Sequence, residues 1–232
     1  NNTFFINSNF NSSNCFISSL SGLLEFDFDF ILPNYYLYLK LEKAKNIQIE
    51  ECNFSALGAS GIRLLEGSSD IQLVGNHIYD LGGGGIFVGT VRNTEVNPKD
   101  KRKTVQNIEI RSNYIHHVSK ENTASAGLSV AYPYNCAITH NEIHDVPYSG
   151  VHTGWGWSTV TEKTFKNFVL EYNYIHDFMK GKKMLDGGGF YNVGYASATI
   201  ENPNKVVRNY FKDCYSASIQ AGGVIYLDNT SS

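Results

Sequence analysis

Two aspartates toward the end of the chain have neighbours that suit carbohydrate chemistry. Asp186 stands in "LDGGGFYNVG", directly before three glycines, and Asp228 stands in "GGVIYLDN". Cleavage of a glycosidic bond needs one carboxylic acid to protonate the leaving oxygen and a second carboxylate as base or nucleophile. We therefore expect Asp186 and Asp228 to be a catalytic pair whose individual roles are open. The alternative for each aspartate is a turn residue that binds local amides.

The glycines at 187–189 have two interpretations. They could form a turn, or they could mark a place where a ligand comes close to the main chain, because glycine has no Cβ atom. The acid and the aromatic residues beside them favour the second interpretation, in which a sugar approaches the backbone next to Asp186.

Five ring-bearing residues accompany the two acids and are candidate substrate contacts. His152 is followed by "GWGWS", which contains Trp155 and Trp157, while Tyr191 and Tyr226 stand beside the two aspartates. Such rings have an apolar face that can stack on a sugar and, in tyrosine and tryptophan, a polar group at the edge. The two tryptophans could instead pack a loop.

A motif of the form N-x-I-x-D recurs along the chain and defines the elements that must position these side chains. It reads "NHIYD" at 76, "NYIHH" at 113, "NEIHD" at 141, "NYIHD" at 173 and "NYFKD" at 209, after a degenerate "CNFSA" at 52. The copies are 24, 37, 28, 32 and 36 residues apart. Short apolar-alternating segments such as "NIEIRS" lie between them, which indicates strands. The repeats predict an all-β parallel β-helix of about six to eight coils, stacked about 4.8 Å apart, with the motif asparagines forming a ladder.

Each motif is followed by a glycine and a short strand, and these strands can be placed in register. One inward column is predicted to contain Ile62, Ile86, Leu128, Val151, Phe190 and Ile225. Side chains alternate along a strand, so the next residue in each segment points outward. His152, Tyr191 and Tyr226 should therefore lie side by side on consecutive coils. Asp228 should lie on the same face, and Asp186 just before the strand of Tyr191.

Long insertions separate several of these coils. They occupy residues 90–105, 118–126, 155–166, 178–185 and 195–205. Long loops on a rigid scaffold often build a binding groove, although loops outside a core are also simply tolerated.

Three histidines also recur, one position before the end of the motif. His116, His144 and His176 would stack on successive coils. Stacked imidazoles could bind a metal, but a repeat column accounts for them without one, and we expect no metal and no cofactor. His144 remains a candidate substrate contact at the edge of the groove. The recurring aspartates at the last motif position are expected to be turn residues.

Composition limits the possible partners. The net charge of −3 is too near zero to indicate nucleic acid binding. No apolar run approaches 18 residues, so no membrane span is expected. The chain starts "NNTFFINSNF", without a methionine or a signal peptide. The four cysteines have no CxxC spacing, so we do not expect a zinc site. We expect the cysteines to be buried thiols.

The length of 232 residues suits one domain. We expect an irregular coil or cap over residues 1–45 and regular coils over 46–232, and whether the whole is a piece of a longer protein is left open.

The repeats resemble the right-handed β-helix proteins of the pectate-lyase-like superfamily. The segments "NEIHDVPYSGVHTGWGW", "LDGGGFYNVG" and "GGVIYLDN" are similar to bacterial β-helix glycoside hydrolases, most closely those of family 141. This resemblance spans 46–232 and is strongest after 138. It implies a hydrolase of fucosyl or xylosyl linkages in plant or host polysaccharides, in which Asp186 and Asp228 match the carboxylate pair. It also implies a secreted, periplasmic or cell-surface protein. Members of the family are usually much longer.

Two other functions fit the same fold. A polysaccharide lyase or epimerase would commonly use Ca²⁺ held by clustered acids, with Arg or Lys as base, and the predicted groove has no Arg beside the acids. A non-catalytic glycan-binding module would bind without turnover.

Overall fold

The computed structural model describes residues 2–4, 16–19, 38–154, 163–182, 184–194, 198–216 and 222–228. Strands account for almost all of its regular structure. In chain order they are β1 (Asn2–Phe4), β2 (Phe16–Ser19), β3 (Leu39–Leu41), β4 (Lys45–Glu50), β5 (Asn53–Leu57), β6 (Ile62–Leu64), β7 (Ser69–Val74), β8 (His77–Leu81), β9 (Ile86–Val88), β10 (Gln106–Arg111), β11 (Tyr114–His116), β12 (Leu128–Val130), β13 (Tyr134–Thr139), β14 (Glu142–Val146), β15 (Val151–Thr153), β16 (Lys166–Glu171), β17 (Tyr174–Phe178), β18 (Gly188–Asn192), β19 (Lys205–Val207), β20 (Tyr210–Cys214) and β21 (Gly223–Leu227). A short helix, α1 (Asn93–Val96), and a 3₁₀ helix at Lys101–Lys103 lie between β9 and β10.

The strands form three sheets that run along a stack of coils. The first sheet has the order β1-β2-β4-β7-β10-β13-β16-β19, the second β20-β17-β14-β11-β8-β5, and the third β21-β18-β15-β12-β9-β6-β3. Among the described strands, only the β1–β2 and β2–β4 pairs are antiparallel. Six successive coils, from β4–β6 to β19–β21, each give one strand to each sheet. The predicted right-handed parallel β-helix is confirmed.

Apolar side chains from all three sheets fill the inside of the coils. In the third sheet, the inward column predicted from the glycine register is confirmed. Its members from Ile62 to Phe190 are buried, while Ile225, in the last described strand, is 52% exposed.

A ladder of buried asparagines joins the coils at the turn between the first and second sheets. Each Nδ2 group donates to the Oδ1 atom of the asparagine in the next coil, at 2.9–3.0 Å. The ladder contains Asn76, Asn113, Asn141, Asn173 and Asn209. The backbone N–H of Cys52 donates to Asn76 at 3.0 Å, so Cys52 occupies the predicted end of the ladder.

The motif aspartates are turn residues, as the repeat predicts. Asp80, Asp145, Asp177 and Asp213 have positive φ angles of 54°, 51°, 49° and 55°. Aspartate and asparagine are the non-glycine residues that visit this left-handed region most readily. The last motif position therefore turns the chain from the second sheet toward the third.

A glycine precedes most strands of the third sheet because the neighbouring coil fills the place of its side chain. A Cβ atom on Gly85, Gly127 or Gly150 would lie 2.7, 2.6 or 2.4 Å from the Cγ2 atom of an isoleucine in the next coil. These isoleucines are Ile115, Ile143 and Ile175.

The glycines at 187–189 are also packed against protein, so the interpretation that they admit a sugar is wrong. In chain order, a Cβ atom at these positions would lie 2.9, 2.6 and 2.5 Å from the ring of Tyr148, the carbonyl oxygen of Gly223 and the ring of Phe211. Gly187 also has a φ of +135°, which a side chain would strain. The bare backbone accommodates neighbouring coils and leaves no room for a ligand.

We expect Gly150→Ala to destabilise the protein by about 1–3 kcal/mol, the usual cost of overpacking. Its Cβ atom would collide with Ile175 and with the carbonyl oxygen of Gly189, at 2.8 Å. Gly223→Ala is the matched control, because among the described residues its Cβ atom would meet only the carbonyl oxygen of Ile225, at 3.8 Å. Urea unfolding measures both variants. Equal stability of the two would contradict the packing role of the glycine column.

The first strands of the chain differ from the regular coils that follow them. Strand β2 pairs antiparallel with β4, while the third sheet already begins at Leu39. Most of residues 1–37 lie outside the described residues, so the coil or cap over 1–45 and the single domain stay predictions.

Cys52 is disulfide-bonded, which corrects the expectation of a thiol there, whereas Cys136 is a buried free thiol and Cys214 a half-buried one.

Within the described residues, no helix is long and apolar enough to cross a membrane.

Candidate functional site

One column of side chains points outward from the third sheet, on the face where the candidate residues were predicted. Its members on successive coils are Arg63, Phe87, Ser129, His152, Tyr191 and Tyr226. The ring centroids of His152 and Tyr191 are 4.9 Å apart, and those of Tyr191 and Tyr226 are 5.3 Å apart with nearly parallel planes. The predicted adjacency of these three residues is confirmed.

The column is covered at its centre by a tyrosine that sequence reasoning missed. His152 and Tyr191 are only 7% and 5% exposed. The ring of Tyr148 stands edge-on to both, with centroids 6.0 and 5.9 Å away. We call Tyr148, Tyr191 and Tyr226 the tyrosine cluster.

The sequence feature that could have revealed Tyr148 is its position, two residues before the glycine that precedes a strand of the third sheet. The equivalent residues in the other coils are small: Ala59, Gly83, Ser125 and Gly187. A large ring at this one position indicates a local specialisation. It also explains Gly187, since a side chain there would overlap Tyr148.

Asp228 contacts the tyrosine cluster, and the charge of Asp186 acts on the same rings. The Tyr191 hydroxyl donates to Oδ2 of Asp228 at 2.5 Å. Burial raises the pKa of both Tyr191 and Tyr148 far above the usual value, and the negative charges of Asp186 and Asp228 act in the same direction. The pKa of Tyr226 is raised by burial and by the same two charges. Both charges therefore act on a set of rings of which Tyr148 and Tyr191 are buried and Tyr226 is half-buried.

His152 is a neutral group in this site. Burial lowers the pKa of His152 to about 4. Near neutral pH its imidazole can donate and accept hydrogen bonds but carries no charge, and it is a weak base.

Trp155 and Trp157 lie outside the described residues. Their predicted stacking on sugar stays a prediction.

The structure places His144 on a different sheet from the tyrosine cluster, and its role as a substrate contact stays a prediction. It lies on the second sheet, where Nδ1 is 2.7 Å from Asp145 and Nε2 is 2.9 Å from the hydroxyl of Tyr114. Its ring stacks on that of His176, with centroids 4.5 Å apart. Alternation predicts that His144 faces outward, but the second sheet faces a different direction from the third. His144 therefore belongs to the column of His116, His144 and His176, which we call the histidine column, and not to the tyrosine cluster.

The histidine column contains two groups of residues whose ligand atoms lie close enough to consider a metal. They are His117, His144 and Asp145, and Glu142, His144 and His176. The rings of His144 and His176 are nearly parallel, at 12°, so their lone pairs run side by side instead of converging. Lys180 also pairs with Asp145 and offsets its charge. The absence of a metal stays a prediction.

A groove of about 240 Å³ continues from His152 toward the earlier coils. Its floor is the outward column of the third sheet, and its walls come from the chain after β9 and before β12. The lining includes Arg63, Phe87, Thr90, Ser125, Ser129 and His152. The groove therefore shares His152 with the carboxylate site and extends the same face by three coils.

Comparison with known proteins supports the fold. No family model matches the chain, and no curated protein matches it. A solved structure described as a glycoside hydrolase is similar over 94% of this chain, with a TM-score of 0.71 and 22% identity. The mannuronan C-5 epimerase AlgE6 A-module of Azotobacter vinelandii is similar over 80% of this chain and 51% of its own, with a TM-score of 0.47 and 18% identity.

The similarity to the glycoside hydrolase structure agrees with the parallel β-helix fold of the chain. The chain spans 42% of the length of the glycoside hydrolase that it matches. The specific resemblance to family 141 stays a prediction.

Proposed function

We propose that the chain carries the catalytic face of a glycoside hydrolase, with Asp186 and Asp228 as the carboxylate pair. The observation that supports this most is the hydrogen bond between Asp228 and Tyr191 of the tyrosine cluster, on whose rings the charge of Asp186, from the preceding coil, also acts. A hydrolase needs two carboxyl groups on either side of one sugar linkage. Tyr226, the least buried ring of the tyrosine cluster, supplies an apolar face for the sugar.

The two acids differ in their hydrogen bonds, and this difference suggests which catalytic role each acid has. Asp228 accepts a short hydrogen bond from the hydroxyl of Tyr191, which fixes the orientation of its carboxylate. Among the described residues, no hydrogen-bond donor holds the carboxyl group of Asp186 in the same way. We assign Asp228 as the base or nucleophile and Asp186 as the acid that protonates the leaving oxygen.

A lyase or epimerase needs a base that removes a carbon-bound proton, and the neighbouring groups suit this less well. The raised pKa values of Tyr191 and Tyr148 make these residues hydrogen-bond donors and not phenolate bases. His152, with a pKa of about 4, is a weak base. In the described chain neither candidate aspartate forms an ion pair with Lys or Arg. Calcium-dependent release of unsaturated uronic products would favour this alternative.

The substrate is proposed from the sequence resemblance: a plant or host polysaccharide with fucosyl or xylosyl linkages. We also propose a secreted, periplasmic or cell-surface location. The disulfide at Cys52 supports this location, because disulfides persist mainly in oxidising compartments.

The experiment is a hydrolysis assay on aryl fucosides, aryl xylosides and pectic oligosaccharides, with and without EDTA. Hydrolysis that is insensitive to EDTA supports the proposal. Glycan binding without turnover on any of these substrates would favour a binding module. NMR of the first-formed anomer then gives the stereochemistry: retention corresponds to carboxyl groups about 5–5.5 Å apart, and inversion to about 6.5–9.5 Å.

We expect Tyr191→Phe to lower kcat by about 10- to 100-fold, the effect of losing a hydrogen bond to a charged group. Without this donor the Asp228 carboxylate loses the hydrogen bond that orients it, so we expect kcat to fall more than KM changes. Tyr210→Phe is the control, because Tyr210 is 62% exposed on the second sheet. An unchanged kcat in Tyr191→Phe would remove the role given to this hydrogen bond.

A further inference from the structure

Arg63, at the far end of the groove from the acids, differs from most arginines of the chain. Arg102, Arg111 and Arg208 each form an ion pair with a neighbouring carboxylate. Arg63 has no hydrogen-bond or ion-pair partner among the described residues, and its Nε atom is buried. An unpaired guanidinium that is partly removed from water is costly. Such a group indicates a missing anionic partner.

Aromatic rings hold the Arg63 side chain in place. Its guanidinium carbon lies 5.5 Å from the ring centroid of Tyr38 and 5.6 Å from that of Phe87. This stacking orients the planar fork of donors, so less conformational freedom is lost when a ligand binds. Arg63 is therefore a preorganised donor that lines the groove.

The groove around Arg63 suits an anion. Arg63 is the only formally charged residue among its described lining residues, and no carboxylate lines it. Glu95 lies nearby, but it accepts hydrogen bonds from the backbone N–H and the hydroxyl of Thr90. Ser129 and Ser125 add hydroxyl groups that can bind sugar hydroxyls.

We propose that Arg63 forms a subsite for an acidic sugar, whose carboxylate or sulfate group pairs with the guanidinium. This inference rests on the proposed function, because it assumes that a glycan lies along the face that carries Asp186 and Asp228. The planar fork of arginine fits a carboxylate with two parallel hydrogen bonds, which favours a uronic acid. The ligand is thus a glycan with at least one anionic sugar.

The distance along the stack sets a minimum length for this glycan. Arg63 and His152 are separated by three coil spacings, roughly 14 Å at about 4.8 Å each. One sugar cannot contact Arg63 and the tyrosine cluster together. The acidic sugar is therefore bound several residues away from the linkage that is cleaved, and Arg63 determines specificity without touching the reacting atoms.

Calorimetric titration tests the inference with the double variant Asp186→Asn, Asp228→Asn, so that binding is measured without cleavage. The ligands are oligogalacturonides, the same oligomers with their carboxyl groups reduced, and sulfated galactan oligosaccharides. We expect Arg63→Gln to weaken oligogalacturonide binding by about 10- to 100-fold. Carboxyl reduction should weaken binding to the same extent, with no further loss on adding Arg63→Gln. Tight binding of the sulfated ligand instead would identify a sulfate as the recognised group.

The matched control is Arg111→Gln, since Arg111 is an exposed arginine of the first sheet paired with Glu109. Unchanged affinity in Arg63→Gln, equal binding of acidic and reduced ligands, or no binding of either anionic ligand would overturn the inference. If Arg63→Gln does not fold, the comparison of acidic with reduced ligands in the unsubstituted groove still shows whether the groove recognises an anionic sugar. Acidic-glycan binding without any turnover in the unsubstituted chain would instead remove the hydrolase proposal and leave this subsite standing.

Discussion

Asp186→Asn and Asp228→Asn should each lower kcat for glycoside hydrolysis by at least about 10²- to 10⁴-fold, the range of general acid–base catalysis. Asparagine keeps the size and one carbonyl oxygen of aspartate, but it can neither give up nor take a proton at the reacting oxygen. The Tyr191 hydroxyl can still donate to the amide oxygen at position 228, so the tyrosine cluster should remain packed. Initial rates on the best substrate of the panel measure the loss.

The control for these variants is Asp213→Asn. Asp213 is an exposed turn residue of the last described coil, with a φ of 55°, and asparagine adopts this conformation readily. We expect its activity to equal that of the unsubstituted chain and all three variants to unfold within about 1 kcal/mol of it. Turnover that survives Asp186→Asn would end the assignment of the acid.

Asn141→Ala should cause the largest loss of stability, about 3 kcal/mol or more. The side chain is 1% exposed. It accepts from the backbone and side-chain amides of Asn113 at 2.9 and 3.0 Å, and it donates to the carbonyl oxygen of Ile110 and to Asn173 at 2.9 and 3.0 Å. Alanine leaves several of these groups buried without partners, at about 1–3 kcal/mol each.

Urea denaturation measures this loss, and Asn122→Ala is the matched control. Asn122 is exposed in a loop, and the structure records only backbone hydrogen bonds for it. A change below about 1 kcal/mol for Asn141→Ala would show that the ladder does not hold the coils together. Because total stabilities are commonly about 5–15 kcal/mol, failure of only the ladder variant to fold would agree with the prediction.

The sequence allowed the frame of the fold to be predicted because the same physical constraint recurs in every coil. The asparagine of each motif must satisfy buried amides, and Ile143 or Ile175 must fill the same interior space as its neighbours. Side chains alternate between the two faces of a strand, so the position along each strand determines which residues face outward in the third sheet. His152, Tyr191 and Tyr226 follow from this register alone.

The remaining features depend on contacts that have no period. Tyr148 lies in a turn, and its ring covers the site only because Gly187 of the next coil leaves room for it. His144 faces outward as alternation requires, but the angle between the second and third sheets decides which groups it meets. The lack of a partner for Arg63 is a property of its surroundings, and these surroundings come from several coils.

The separation between inward and outward side chains in the third sheet has an evolutionary consequence. The inward column, the asparagine ladder and the glycine column hold the stack, and the outward Tyr191 packs in a second buried cluster with Tyr148, whereas Arg63 and Ser129 take no part in either. Substitutions at these outward positions can therefore accumulate at little thermodynamic cost. Homologues that keep the same frame could diverge in the glycan they recognise through a few changes in one column.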